Sequence, residues 1–136
     1  MRLLLDTHAL IWLAEGLPAL PPKSRRLVND AKRAHGVAVS AISFWEVAML
    51  AHKGRIAINR PVRAWREQVL AAGGFAEIPV TGEIGVEAVL LPGALHDDPA
   101  DRILAATARL HGLALGTRDG RLLDYGAAGH LAVVAL

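Results

Sequence analysis

Four acidic residues, Asp6, Glu46, Asp101 and Asp119, stand at the ends of expected strands or in the first turns of expected helices. Asp6 directly follows Leu3-Leu4-Leu5, and Asp119 comes two residues after a strand-like run ending at Thr117. Glu46 falls in the first turn of the helix expected after the second strand, and Asp101 in the first turn of the helix leading to the fourth. In open parallel sheets the functional crevice lies beyond the carboxyl ends of the strands. If the first, second and fourth strands are neighbours, all four carboxylates converge on one edge of the sheet. A hard divalent cation such as Mg²⁺ takes oxygen ligands and keeps several waters, so a few carboxylates suffice to hold it. Such ions activate water and steady the leaving oxygen of a phosphodiester.

Each acid also has a purely structural use. Ser43-x-x-Glu46 reads as a capping box, in which Glu46 satisfies backbone N–H groups. Asp101 favours a helix N-terminus through the helix dipole, by ~0.3–1 kcal/mol. Asp119-Gly120 reads as a turn pair. Asp98 sits where an N-cap belongs, with Pro99 as the first helical residue, and that role accounts for it fully. Asp6 is the hardest to explain structurally, because a carboxylate flush against three leucines is desolvated unless a cation or hydrogen bonds compensate. Thr7 and Thr117 flank two of the acids, and their hydroxyls suit either a ligand carboxylate or a strand-end hydrogen bond. Arg102 and Arg118 suit either a forked contact to a phosphate or an ion pair with a neighbouring acid. Asp97 and Asp124 read as surface residues.

The elements that must position these groups alternate along the chain. Strands are expected over Arg2 to Asp6, Val37 to Ile42, Phe75 to Val80, Leu113 to Thr117 and Leu131 to Val134. Helices are expected over 7–14, Lys23 to Ala34, Ser43 to about Lys53, Pro61 to Ala72, Glu83 to Leu91 and Asp98 to about His111. Pro18, Pro21 and Pro22 break the first pair of helices apart, while Gly36, Gly54 and Gly112 end others. Strands separated by helices imply a parallel α/β sheet with right-handed crossovers. No repeat or linker interrupts the chain, and 136 residues suit a single domain over 1–136.

Composition narrows the chemistry. Without cysteine there is neither a disulfide nor a thiolate metal site. The histidines at 8, 35, 52, 96, 111 and 130 form no His-x-His or His-x-x-x-His pair, which disfavours zinc. His96, near the acids, reads as helix-entry packing before substrate positioning. No phosphate-cradling glycine loop and no Gly-x-Ser-x-Gly elbow is present. The net charge of +2 is no strong basic footprint, and the clusters at Lys23 to Arg26, Lys32-Arg33 and Arg60 to Arg66 read as solvated helix surface. Met1-Arg2-Leu3-Leu4-Leu5-Asp6 reaches a charge after three apolar residues, which predicts no signal peptide. No apolar run approaches the ~18 residues of a membrane span, so a cytoplasmic protein is expected.

Leu3-Leu4-Leu5-Asp6-Thr7-His8-Ala9-Leu10-Ile11-Trp12 resembles the opening of the VapC-type PIN-domain toxins. Ser40-x-x-Ser43-x-Trp45-Glu46-Val47-Ala48, His96-x-Asp98-Pro99-x-Asp101-Arg102-x-Leu104-x-Ala106 and Thr117-Arg118-Asp119 continue the resemblance in order and at normal spacing. It implies a three-layer α/β/α sandwich around a five-stranded parallel sheet. It further implies a Mg²⁺-dependent endoribonuclease, with Mn²⁺ as a substitute ion, that is the toxin of a toxin–antitoxin pair. Asp6, Glu46, Asp101 and Asp119 match the metal-site acids position by position. The implied partners are RNA, a VapB-type antitoxin whose carboxyl-terminal segment lies in a groove near Trp12, Phe44 and Trp45, and a second copy of the chain. Asp97 departs from the family, whose members often carry a basic or neutral residue there. The competing expectation is a PIN-like binding or regulatory module without nuclease activity, against which the intact acid quartet argues.

Overall fold

The computed structural model describes residues 2–136. The elements run β1 (Leu3–Leu5), α1 (Thr7–Glu15), α2 (Pro22–Arg33), β2 (Val37–Ser40), α3 (Ala41–His52), α4 (Val62–Ala71), β3 (Phe75–Ile78), α5 (Gly82–Leu90), α6 (Pro99–His111), β4 (Ala114–Thr117), α7 (Gly120–Ala127) and β5 (Val133–Ala135). All five strands are parallel, in the order β3-β2-β1-β4-β5. The first strand is therefore central, with β2 on one side and β4 on the other, as convergence of the acids requires. The chain builds outward from β1 through β2 to β3, then restarts on the other flank at β4. The crevice between β1 and β4 is thus the topological switch point of the sheet.

The alternation of side chains along the strands divides the interior in two. Leu3, Leu5, Val37 and Val39 point to one face, where they pack with Leu10, Val28, Trp65 and Val69 from α1, α2 and α4. Leu4 and Ala38 point to the other face, against Ile84, Ala88, Leu104, Leu122 and Tyr125 from α5, α6 and α7. The result is three layers, α/β/α. Leu3, Leu4 and Leu5 are fully buried, which is why β1 reads as an unbroken apolar run. At ~25 cal/mol per Å² such leucines contribute roughly 1.5–3 kcal/mol each against full exposure. Among the described residues no helix is long and apolar enough to cross a membrane.

Three local expectations are corrected. The second strand ends at Ser40 rather than Ile42, and Ser40 itself caps α3 by accepting from the Ile42 N–H at 3.1 Å. Ser43 is therefore inside the helix, and no Ser43–Glu46 capping box forms. The Asp119-Gly120 pair is not an isolated turn but the start of α7, an element the sequence reading does not contain. Glycine at helix positions normally costs about 1 kcal/mol each, so a segment holding Gly120 and Gly126 reads as loop. The sheet explains Gly126: a Cβ there would lie 2.5 Å from Val133 of β5, too close for any side chain.

Candidate active site

The four acids arrive in one crevice from four separate segments. Asp6, Glu46, Asp101 and Asp119 all line a pocket of about 250 Å³ beyond the carboxyl ends of β1 and β4. Thr7, His8, Trp12, Asp98, Arg118 and Arg121 complete the lining. Among the described residues no group of three or more His, Cys, Asp or Glu side chains is drawn close enough to hold a metal ion by itself. The acids line a shared space, with oxygen donors of the type a hard cation takes.

Asp6 is 6 % exposed. Its backbone N–H donates to the Gly116 carbonyl at 3.0 Å, which ties the end of β1 to β4. One carboxylate oxygen accepts from the Ala9 N–H at 2.8 Å, capping α1, and the other accepts from the Thr117 hydroxyl. Asp6 therefore does have a structural role, as an N-cap. Burial nevertheless raises its pKa above the ordinary carboxylate value, against the lowering by Thr117 and the Ala9 N–H. Thr117 also accepts from the Asp119 N–H at 3.0 Å, so one hydroxyl links two acids of the pocket.

Glu46 stands in the second turn of α3. Burial raises its pKa first, and Asp98 and Asp101 add repulsion. The Thr7 hydroxyl lies between Ser43 Oγ, at 2.9 Å, and Glu46, whose charge it helps to hold. Its single proton serves one of them at a time. Asp101 is raised by burial too, with Asp98 and Asp119 adding repulsion. His96 Nε2 lies 2.6 Å from its Oδ2 and works the other way.

Asp119 differs. Burial pushes its pKa up, but Arg121, through its guanidinium and backbone N–H, outweighs this together with the Leu122 N–H. The pKa ends below the ordinary value. The carboxylate caps α7 and pairs with Arg121 at 3.4 Å. Asp98 caps α6 through the Asp101 N–H at 2.9 Å, with Pro99 at the first turn, as its spacing predicts.

The arginines separate. Arg118 lines the pocket and donates to the Leu136 carbonyl at 3.2 Å. Arg102 does not line it. Its guanidinium donates to the Ala88, Leu95, Val89 and His96 carbonyls at 2.9 to 3.5 Å, clasping the carboxyl end of α5 to the loop that follows. It makes neither of the contacts expected of it, and the reason is the helix end: unsatisfied carbonyls are the natural partner of a half-buried cation. Sequence reasoning missed Arg121 and the part played by His96. Arg121 follows Asp119 by two residues, a signal that becomes legible only once α7 is known to start there.

Fold and site together define an α/β protein with a carboxylate-lined crevice at the sheet's switch point, suited to a hard cation. A model of the PIN domain family matches residues 3–128. The chain is 37% identical over 122 residues to Ribonuclease VapC22 of Mycobacterium tuberculosis, covering 90% of each. The chain belongs to the PIN-domain family. Among solved structures it resembles a toxin–antitoxin complex from Klebsiella pneumoniae, with TM-score 0.59, 26% identity and coverage of 98% and 97% of the two chains. It also resembles VapBC2 from Rickettsia felis bound to a promoter DNA fragment, with TM-score 0.72, 14% identity and 98% coverage of each. FitAcB from Neisseria gonorrhoeae follows at TM-score 0.63 and 23% identity, covering 98% and 97%. The last two speak to the fold alone.

Proposed function

We propose that this chain is a metal-dependent endoribonuclease and the toxin of a toxin–antitoxin pair, with Asp6, Glu46, Asp101 and Asp119 as its metal-binding and catalytic acids. The observation that carries the reading is the convergence of these four acids in one pocket, three of them with raised pKa. An acid with a raised pKa is one whose charge the folded protein lacks a partner for, and a bound cation is that partner. The donors are carboxylate oxygens, which suits Mg²⁺, or Mn²⁺ in its place, over softer metals.

Such an ion, when bound, lowers the pKa of its water and offsets charge on a phosphodiester. The chain's own residues do the rest. Thr117 and the Ala9 N–H hold the Asp6 carboxylate in one orientation, while the Thr7 hydroxyl, which donates to Ser43 Oγ, stands beside Glu46. Arg118 and Arg121 at the rim offer guanidinium forks to an incoming RNA backbone. Trp12, with its ring 5.9 Å from that of His8, offers a face on which an unpaired base can stack.

The proposal extends to partners, since the solved relative at 26% identity is a toxin–antitoxin complex. An apolar groove of about 670 Å³, lined by Ile11, Trp12, Leu17, Ile56 and Ile58, runs on from the acid pocket through His8 and Trp12. It suits the carboxyl-terminal segment of a VapB-type antitoxin. Phe44, by contrast, is buried against Trp65 and belongs to the core. Val86, Val89 and Leu90 of α5 are exposed and form an apolar strip that suits a second copy of the chain.

The test is RNA cleavage by the purified chain. Cleavage is expected with Mg²⁺ or Mn²⁺ and is expected to stop in EDTA. Undiminished cleavage in EDTA overturns the metal reading, and absence of cleavage of any RNA under either ion overturns the nuclease.

A further inference from the structure

We infer that His96 is a positioning residue: its ring N–H fixes the Asp101 carboxylate in the orientation that a cation in the acid pocket requires. The inference rests on the metal-site reading above and adds to it a residue outside the acid quartet.

The contact is short, 2.6 Å between Nε2 and Oδ2, and both side chains are largely buried, at 15 % and 17 % exposure. Against an ionised carboxylate oxygen, the tautomer with its proton on Nε2 donates. Nδ1 is buried and has no hydrogen-bond partner. The ring's polar engagement is therefore with Asp101 alone. A side chain chosen only to fill the entry to α6 would leave no buried nitrogen unsatisfied, since that is a cost which apolar packing avoids. Among the described residues, Asp101 Oδ1 takes no hydrogen bond, and Asp101 lines the pocket, so one oxygen is held and the other is open to a ligand.

The backbone supports the same geometry. Arg102 donates to the Leu95 carbonyl at 2.9 Å and to the His96 carbonyl at 3.5 Å, while two further donations grip Ala88 and Val89 at the end of α5. The segment bearing His96 is thus fastened to a helix end. Asp98 caps α6 through the Asp101 N–H and fixes the other side of the contact. A donor held in place behind a carboxylate is how proteins orient a metal ligand. Loss of such a partner typically weakens metal affinity by roughly 10–100-fold.

The experiment compares the parent chain with His96→Gln and His96→Met, which are close in length and differ in their N–H donor. Mn²⁺ is titrated against each full-length protein, and affinity is read by calorimetry and by the ion-induced rise in Tm. His96→Gln is expected to bind Mn²⁺ within a few-fold of the parent. His96→Met is expected to need about 10–100-fold more Mn²⁺, with its metal-free Tm close to that of His96→Gln. Parental Mn²⁺ affinity in His96→Met overturns the inference and leaves the metal site standing. Equal weakening of the two variants overturns it as well, because the shape of the imidazole would then matter and its donor would not. If neither variant folds, His96 is a packing residue and the inference falls. A parent chain that binds no Mn²⁺ overturns the metal site itself and the inference with it, an outcome distinct from the others.

Discussion

The inner wall and the rim of the acid pocket use the same residue types to opposite electrostatic effect. On the wall, Asp6, Glu46 and Asp101 are removed from water, and burial raises their pKa despite hydroxyl, amide and imidazole donors aimed at them. On the rim, Asp98 and Asp119 cap helices in solvent, and Asp119 has Arg121 beside it, so that its pKa falls. Hydrogen bonds on the wall thus do not offset burial, whereas on the more open rim Arg121 and the backbone donors do. The wall is the side of the pocket where burial outweighs the donors and the His8 and His96 rings around the carboxylates.

Substitutions on the wall should have the largest effect. Asp6→Asn keeps a carbonyl oxygen to cap Ala9 and an amide to face Thr117, and it removes a buried charge. Glu46→Gln removes a charge that no cap depends on. Both are expected to leave the metal-free Tm within a few degrees or to raise it. Both should lower RNA cleavage by more than the ~100-fold associated with loss of an outer partner, and should abolish the Mn²⁺-induced Tm shift. A Glu46→Gln protein with full activity and metal response would leave three acids to carry the site.

The wall also governs pH dependence. The raised pKa values mean that the folded chain retains protons that the unfolded chain releases. The stability tied to these groups is fully present below the ordinary carboxylate range of about 4 and is lost as pH rises through the raised values. Metal-free protein should therefore lose stability, as far as these groups decide it, as pH rises above the ordinary carboxylate range, and saturating Mn²⁺ should reverse the trend, because protons then compete with the ion. Asp119 acts oppositely, its contribution being lost as pH falls through its lowered value, beneath this window. Melting curves from pH 5 to 7.5, with and without Mn²⁺, measure the effect. An unchanged slope in Asp6→Asn would remove Asp6 from the account.

Rim residues outside the acid quartet should respond least. Asp98→Asn preserves the cap, since Asn serves about as well as Asp at that position, and should retain most activity. Arg121→Ala should move Tm by only about 2 °C or less, because exposed ion pairs contribute little. Its Mn²⁺ affinity should hold or rise slightly, as Asp119 is freed of a competing cation. If Asp98→Asn were as inactive as Asp6→Asn, the distinction between wall and rim would be wrong.

The sequence by itself determined whatever depends on near neighbours along the chain. The alternation of strands and helices, the apolar run of β1 and the Asp98-Pro99 start of α6 follow from local patterning and capping chemistry, which act over a few residues. The four acids were legible for the same reason, since each lies close to the start of a helix. Tertiary structure decided the rest. The Thr117 hydroxyl meets Asp6 across 111 residues because β1 and β4 pair in the sheet, and no local pattern encodes that pairing. Gly126 is tolerated in α7 because β5 crowds it, so a residue that reads as a helix breaker is instead a contact requirement. Arg102 turned from the acids to the end of α5 through the packing of α5 against α6, and the loop between those helices brings His96 onto Asp101, five residues on. The ionisation of the acids belongs here too. The sequence places the carboxylates, but a pKa is set by how much water and which charges surround a group, and only the folded chain fixes those.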